Sequence, residues 1–341
     1  MTMSTDDTIT LIWRSDAHLA DQPPQSRTDD WAATILDKLS QTVEIALDEN
    51  AEAILDGGDL FHIKSPVRNS HKLIQRVAEV HQSVTVHATV GNHDVKYGSL
   101  EYLEESPLGV LFKTRTFVPL FDEHEARFTI WPDAVKVDGT TKPKLRVRVV
   151  GIPYHGTQYD VNRFNAITKG DEDHLVVVAH CLASEEGGEF FGAEDVLNYS
   201  DLANLDPDVW CFGHWHKNQG VTEIAHGKWV VNIGSLARGA LVEDDLKRTP
   251  SCAILRFGPG KEVFSIEEKP LRVQPAKEVF DIEGRVRAEA RQMNIETFVE
   301  GLRDVLTRQD DVSLRETIEG MDGIEDEVRE RAILYLEKAG A

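Results

Sequence analysis

Short apolar runs recur along this chain, and each stops at a polar turn. Ile9 to Trp13 runs into Ser15, Asp16, Ala17 and His18. Ala53 to Leu55 runs into Gly57-Gly58-Asp59-Leu60-Phe61-His62. Val84 to Val90 runs into Gly91-Asn92-His93-Asp94. Leu175 to Ala179 ends at His180, and Val209 to Phe212 ends at Gly213-His214-Trp215-His216. Runs this short, bounded by glycine and turn residues, predict buried strands. A different period lies between them. Trp31, Ile35, Leu39, Val43, Ala46 and Leu47 keep helical spacing and predict a long amphipathic helix over residues 29–50. Ser65-Pro66 predicts the N-cap and first position of a second helix, continuing through Ile74, Val77 and Ala78 to His81. Strands alternating with helices predict a parallel α/β sheet. In such sheets the loops after the strand C-termini carry the chemistry.

Further along, Gly98 to Glu105 reads as a short acidic helix, and residues 115–151 read as strands with a hairpin signal at Asp138-Gly139. Lys142, Lys144, Arg146 and Arg148 alternate, as on a charged edge strand guarded against pairing. Residues 185–198 read as an acidic loop and helix. Strands follow at Trp229 to Ile233, Cys252 to Phe257 and Val263 to Glu267. The loop 234–239 sits at a strand end; its amides and Arg238 read either as a phosphate cradle or as a plain turn. His71, His81 and His155 read as surface or packing residues. From Pro270 to Pro275 the character changes. One helical stripe holds Ile295, Phe298, Val299, Leu302, Val305 and Leu306; another holds Val328, Ala332, Ile333, Tyr335 and Leu336. The expected division is a main domain, 1–270, and a short helical appendage, 271–341.

The length of 341 residues suits one large α/β domain plus an appendage. No apolar run is long enough to span a bilayer. The start Met1-Thr2-Met3-Ser4-Thr5-Asp6-Asp7 lacks the basic and apolar parts of a signal peptide. Cys181, Cys211 and Cys252 sit in or beside apolar strands, as reduced core residues do, and the expected location is the cytoplasm. Lysine and arginine number 37 against 59 aspartates and glutamates, a net charge of −22. Proteins that bind nucleic acid loosely present a basic surface. A DNA substrate here would need a local basic patch, bound metal or a partner.

Candidate chemistry comes from the strand ends, which deliver Asp16, His18, Asp59, Asn92, His93, His180, His214 and His216. Hard oxygen and imidazole donors without thiolate suit Mn, Fe, Zn or Mg rather than a structural zinc. A pair of ions about 3.5–4 Å apart needs a bridging carboxylate and several terminal ligands. The order D-x-H, G-D, G-N-H-D, H, G-H-x-H resembles the calcineurin-like metallophosphoesterase superfamily. That resemblance implies a two-sheet α/β sandwich. It also implies two divalent metal ions. Asp16, His18, Asp59 and His216 would hold the first, and Asp59, Asn92, His180 and His214 the second, with Asp59 bridging. His93 would act on the transition state or the leaving oxygen, and Asp94 would orient it or cap the turn.

Gly58-Asp59-Leu60-Phe61-His62, followed by Ser65-Pro66, resembles the SbcD-type DNA double-strand-break repair nucleases and their phage and bacterial relatives. This implies a role for His62 in placing phosphate or DNA, a preference for Mn(2+), and DNA duplex ends or hairpins as substrate. Lys64, Arg68 and Lys72 lie near His62 to meet phosphates. It implies an SbcC-type coiled-coil ATPase as a partner for the tail, and a homodimer among the allowed assemblies. The other reading is a small-molecule or cyclic-nucleotide phosphodiesterase or phosphatase that works without a partner.

Overall fold

A computed structural model describes residues 7–62, 69–121, 124–130, 136–137, 140–141, 144–190, 193–260, 264–284, 286–287, 318–319 and 326–339. In chain order the strands are β1 (Ile9–Arg14), β2 (Ala53–Asp56), β3 (Val86–Ala88), β4 (Phe117–Pro119), β5 (Glu125–Ile130), β6 (Lys136–Val137), β7 (Thr140–Thr141), β8 (Leu145–Ile152), β9 (His174–His180), β10 (Ala183–Ser184), β11 (Gly188–Phe190), β12 (Glu194–Asn198), β13 (Val209–Gly213), β14 (Gly220–Ala225), β15 (Lys228–Asn232), β16 (Ser251–Phe257) and β17 (Phe264–Pro270). One six-stranded sheet runs β17-β16-β1-β2-β3-β4, and a second runs β14-β15-β13-β9-β8-β5. In the first, β1 to β4 are parallel, and β16 and β17 add antiparallel. In the second, β15, β13, β9 and β8 are parallel, with β14 and β5 antiparallel at the edges.

The sheets share one apolar core. Leu11, Trp13, Leu55 and Leu255 from the first meet Val149, Val178, Val209 and Cys211 from the second. Alternation sends the intervening residues outward. Ile12, Ile54 and Val86 face α1 (Trp31–Asp48) and α2 (His71–Val80). Val177, Ala179, Trp210 and Phe212 face another apolar layer built on Phe164, Tyr199 and Leu202. Burial on both faces explains why the strands read as continuous apolar runs. The expected two-sheet α/β sandwich is the observed fold.

The helices start where a side chain closes the first turn. Asp30 accepts from Ala33 N at the start of α1. Leu47 keeps the helical spacing but is exposed, because Ala46 takes the inward position. Ser70, not Ser65, caps α2: its hydroxyl accepts from Leu73 N at 3.2 Å and donates to Asp21 at 2.8 Å. Ser65-Pro66 lies outside the described residues, as do Lys64, Arg68, Lys142 and the Asp138-Gly139 turn, although the flanking β6 and β7 pair antiparallel. The acidic segment at residues 100–105 is a 3₁₀ turn, Leu100–Glu105, leading into α3 (Pro107–Lys113).

Two readings are corrected. Strand β8 is not an edge, since β5 pairs along it from Glu125 to Ile130. Arg146 and Arg148 instead pair with Asp171, Glu125 and Glu172. Residues 185–198 are not a loop and helix. They belong to a small three-stranded sheet, β10-β12-β11, followed by a one-turn helix, Tyr199–Leu202. Short strands whose exposed positions are acidic hide their period, and here only Val196 of β12 is buried.

The chain divides into two compact units, Met1–Val279 and Phe280–Ala341. The first runs on past Pro270 because Leu271 is buried, its N–H bonding Pro250 O, and Thr28 N bonds Val279 O. In the second, the described helix Asp326–Ala339 spans the positions from Val328 to Leu336. The Ile295–Leu306 stripe lies outside the described residues. Among the described residues, no helix is long and apolar enough to cross a membrane, and Cys181, Cys211 and Cys252 are free and buried.

Candidate metal centre

Four strand-end loops are laced together by their backbones. Asp16 N donates to Gly58 O, His18 N to Asp59 O and Leu19 N to Leu60 O, at 2.8 to 3.1 Å. The loop after β13 joins from the other sheet, its His214 N lying 3.1 and 3.0 Å from the two Asp16 carboxylate oxygens. The loop after β15 closes the ring: Leu236 N donates to Ser15 O and Ala237 N to Asp16 O. Asp16, His18, Asp59 and His214 all have left-handed backbones, with φ of 56°, 49°, 52° and 85°. Each such non-glycine residue costs on the order of 1–2 kcal/mol, and strain of this kind gathers at functional sites. Gly91 cannot be replaced freely, because a Cβ there would stand 2.1 Å from Asp59 Oδ1.

This lacing gathers two sets of donors. Asp16, His18 and His216 form one, and Asp59, His180 and His214 the other, each with its donor atoms within 4.8 Å of one another. In the first set, His18 Nε2 and His216 Nε2 are 2.8 Å apart, and each is 3.8 Å from Asp16 Oδ1. In the second, His180 Nε2 lies 3.4 Å from Asp59 Oδ2 and 3.3 Å from Asn92 Oδ1. Asp59 Oδ2 also lies 3.7 Å from His18 Nε2, so one oxygen reaches both sets. The other oxygen, Oδ1, accepts from His93 N at 2.7 Å.

Proton placement follows from the partners. His180 Nδ1 sits 2.7 Å from Gly57 O, an acceptor only, so Nδ1 carries a hydrogen and Nε2 is the nitrogen that faces the donors. Burial opposes a charge on His180, yet Asp59 and Asp16 hold its pKa up to about 9. Asp59 is buried too, but His180 keeps its carboxyl well below the usual range. A field that favours a proton at this spot favours a metal cation as well.

The residues fit two divalent cations on observations of their own. Among the described residues, Asp59 Oδ2 is buried without a hydrogen-bond partner, and it is the oxygen that both sets share. Two imidazole nitrogens 2.8 Å apart need a proton or cation between them. The donors are carboxylate and imidazole without thiolate, which excludes a thiolate-type structural zinc site. A model of the calcineurin-like phosphoesterases matches residues 12–218, a span that includes all of these donors.

The chain belongs to the calcineurin-like phosphoesterase family.

No curated protein matches the chain in sequence. Several solved structures resemble it in fold. The TT1561 protein of Thermus thermophilus is 14% identical over 76% of this chain and 99% of its own, with a TM-score of 0.44. A dimetal phosphatase from Danio rerio is 12% identical over 77% of this chain and 99% of its own, at 0.42. The purple acid phosphatase PPD1 from yellow lupin, Lupinus luteus, is 16% identical over 77% of this chain and 51% of its own, at 0.43.

Around the phosphoesterase donors lie residues with other roles. His62 stacks on His93, ring centroids 5.2 Å apart at 13°, and its Nδ1 is 3.3 Å from His18 Nδ1. His93 Nδ1 turns to His62 O at 3.3 Å. Asp94 does not orient that ring. Its carboxylate is buried and accepts from Asp59 N at 2.7 Å, Gly91 N at 2.9 Å and Phe61 N at 3.1 Å, a turn-capping role that fixes the bridging residue. Burial and the Asp59 charge push the Asp94 carboxyl up to about 8, against the pull of those N–H donors.

The 234–239 loop is a support and not a phosphate cradle. Two of its amides are spent on Ser15 and Asp16, and Arg238 is buried, with Nη2 on Gln274 O. Lys38 donates to Leu236 O at 2.8 Å and Arg248 to Ser235 O at 2.7 Å, so cations brace the loop from behind. Burial and the neighbouring Arg238 lower Lys38 to about 7. His155 packs on Tyr159 and Phe164.

Sequence reasoning missed Glu194. Its Oε1 stands 3.1 Å from His214 Nε2. The pattern around it, Glu194-Asp195-Val196-Leu197-Asn198, carries no period that would have singled it out.

Proposed function

We propose that this phosphoesterase is a two-metal phosphodiesterase of the SbcD type, cutting DNA at duplex ends or hairpins. The observation that carries the reading is His62. It comes from the Gly58-Asp59-Leu60-Phe61-His62 turn, stacks on His93, and forms a further three-histidine group with His18 and His93. Two imidazoles side by side beside the bridging carboxylate suit a diester, which must be held and must also have its leaving oxygen protonated. In this reading His93 donates that proton, His62 keeps His93 and the phosphate in register, and Asp94 holds the backbone carrying Asp59. The bound cations, Mn(2+) by preference, supply Lewis acidity and a water of lowered pKa. Mg(2+) serves less well because it favours all-oxygen sites. Residues 271–341 dock an SbcC-type coiled-coil ATPase, whose surface makes up for the net charge of −22.

A second reading has its own observation. The cleft of about 430 Å³ beside His216 is walled by Glu194, Asp244 and Asp245 against Lys217. Arg248 pairs with both aspartates and His214 with Glu194, so these carboxylates are matched locally, and a cleft of this size suits a small phosphoester. One assay separates the readings. The metal-loaded protein is given linear duplex DNA, hairpin DNA, a cyclic nucleotide, a chromogenic phosphodiester and a chromogenic phosphomonoester. Cleavage of DNA and of the small diester, with the monoester slower, supports the nuclease. Turnover confined to the monoester or cyclic nucleotide overturns it. Deleting residues 290–341 should spare the small diester and abolish association with the ATPase; binding that survives removes the tail from the proposal.

A further inference from the structure

We infer that Glu194 is a positioning residue for the second donor set, fixing His214 through Nε2 and leaving Nδ1 as the ring nitrogen for a cation. The inference rests on the two-metal reading above. Glu194 Oε1 lies 3.1 Å from His214 Nε2. A carboxylate only accepts, so Nε2 carries the hydrogen and the lone pair falls on Nδ1. Histidines that bind metal commonly give their other N–H to a carboxylate or carbonyl, which sets both tautomer and ring orientation. His180 has such a partner in Gly57 O, and Glu194 gives His214 the equivalent one.

Glu194 is itself held in place. Tyr159 donates its hydroxyl hydrogen to the same Oε1 at 2.8 Å, and that hydroxyl accepts from Leu182 N at 2.8 Å. Leu182 lies two residues after His180, so one bonded chain joins both imidazoles of the second set. The backbone around Glu194 is pinned as well: Tyr159 N donates to Asp195 Oδ2 at 2.8 Å and Asp195 N to Thr157 O at 2.9 Å. Tyr159 is buried, so this arrangement is not a chance surface pairing. It also gives the small β10-β12-β11 sheet a purpose, since β12 carries Glu194 to the site.

The test uses the full chain and two readouts. In the metal-stripped protein, imidazole ¹⁵N spectroscopy should find His214 as the Nε2–H tautomer, and Glu194→Ala should abolish that fixed state. Calorimetric titration with Mn(2+) should then give two sites in the wild type. Glu194→Ala should weaken one of them by about 10- to 100-fold and leave the other in place. Tyr159→Phe should weaken the same site by less. Thermal unfolding of each variant checks that the fold survives. His214 found as Nδ1–H in the wild type, or two unchanged affinities in a folded Glu194→Ala, would overturn the inference. A wild type that binds fewer than two ions would instead sink the two-metal reading beneath it.

Discussion

The two donor sets are built from the same residue types but are held very differently. In the second set every imidazole has a fixed outer partner: His180 on Gly57 O and His214 on Glu194, at 2.7 and 3.1 Å. His180 is fully buried. In the first set, His216 leaves 53% of its side chain exposed, and His18 turns its outer nitrogen to His62 at 3.3 Å. A carbonyl or carboxylate fixes a tautomer, whereas another imidazole does not. One set is therefore a rigid socket and the other an open, adjustable one on the side where His62 and His93 stand. The difference teaches which ion anchors the site and which one meets the substrate.

The largest expected effect comes from removing what the sets share. Asp59→Ala takes away the oxygen that reaches both, and bound metal should fall from two ions to none, with activity lost. Elemental analysis decides it. A variant that keeps one ion tightly would show the sets to be independent. His93→Ala should behave otherwise. It should keep both ions and lose about 10²- to 10⁴-fold in kcat, the span typical of a positioned acid. Loss of metal from this variant would move His93 into the donor set.

The comparison itself predicts an order of release. Graded chelation should strip the first set before the second, and His180→Ala should cost more affinity than His216→Ala, by about tenfold or more. Simultaneous release at equal affinity would erase the distinction between socket and open site.

Most donors are legible in the sequence because buried strands advertise themselves. Ile9 to Trp13 and Val209 to Phe212 are apolar on both faces, so the polar residues that follow must lie at strand ends. That logic places Asp16, His18, Asp59, Asn92, His180, His214 and His216 at one rim. It does not reach relations between segments distant in the chain. Glu194 and His214 meet only because β12 folds beside the second sheet, and its Glu194-Asp195 start reads as a loop. Asp94 could have been an orienter or a cap, and only three converging N–H groups decide it. Ser65 and Ser70 are both serines before the same helical stripe, and Asp21, far back in the chain, tips the choice to Ser70. The cover of β8 is hidden likewise: the alternation of β5, Glu125–Ile130, announces a strand but not which strand it pairs with.

The smallest effect tests whether acid empties the open set or unfolds the protein, which metal counting alone would confuse. His81, away from both sets, packs on Phe117 and donates Nδ1–H to Val77 O at 2.7 Å. Burial, aided by the Arg14 charge, lowers its pKa from 6.5 to about 3. The unfolded chain therefore takes up a proton below about pH 6.5 that the folded protein refuses until about pH 3. Stability supplied by neutral His81 is complete above about pH 6.5 and falls as pH drops through that window, by up to about 1.4 kcal/mol per unit. His81→Leu should lose about 1–2 kcal/mol at about pH 8, from the missing hydrogen bond and altered packing. It should also flatten the acid limb of urea-unfolding curves between about pH 4 and 6. Metal release by chelator at about pH 6 should be the same in both proteins, since His81 touches no donor. If His81→Leu leaves the slope unchanged, acid sensitivity lies elsewhere. If it also shifts metal release, the open set is coupled to the core, and the socket and the open site are not separate devices.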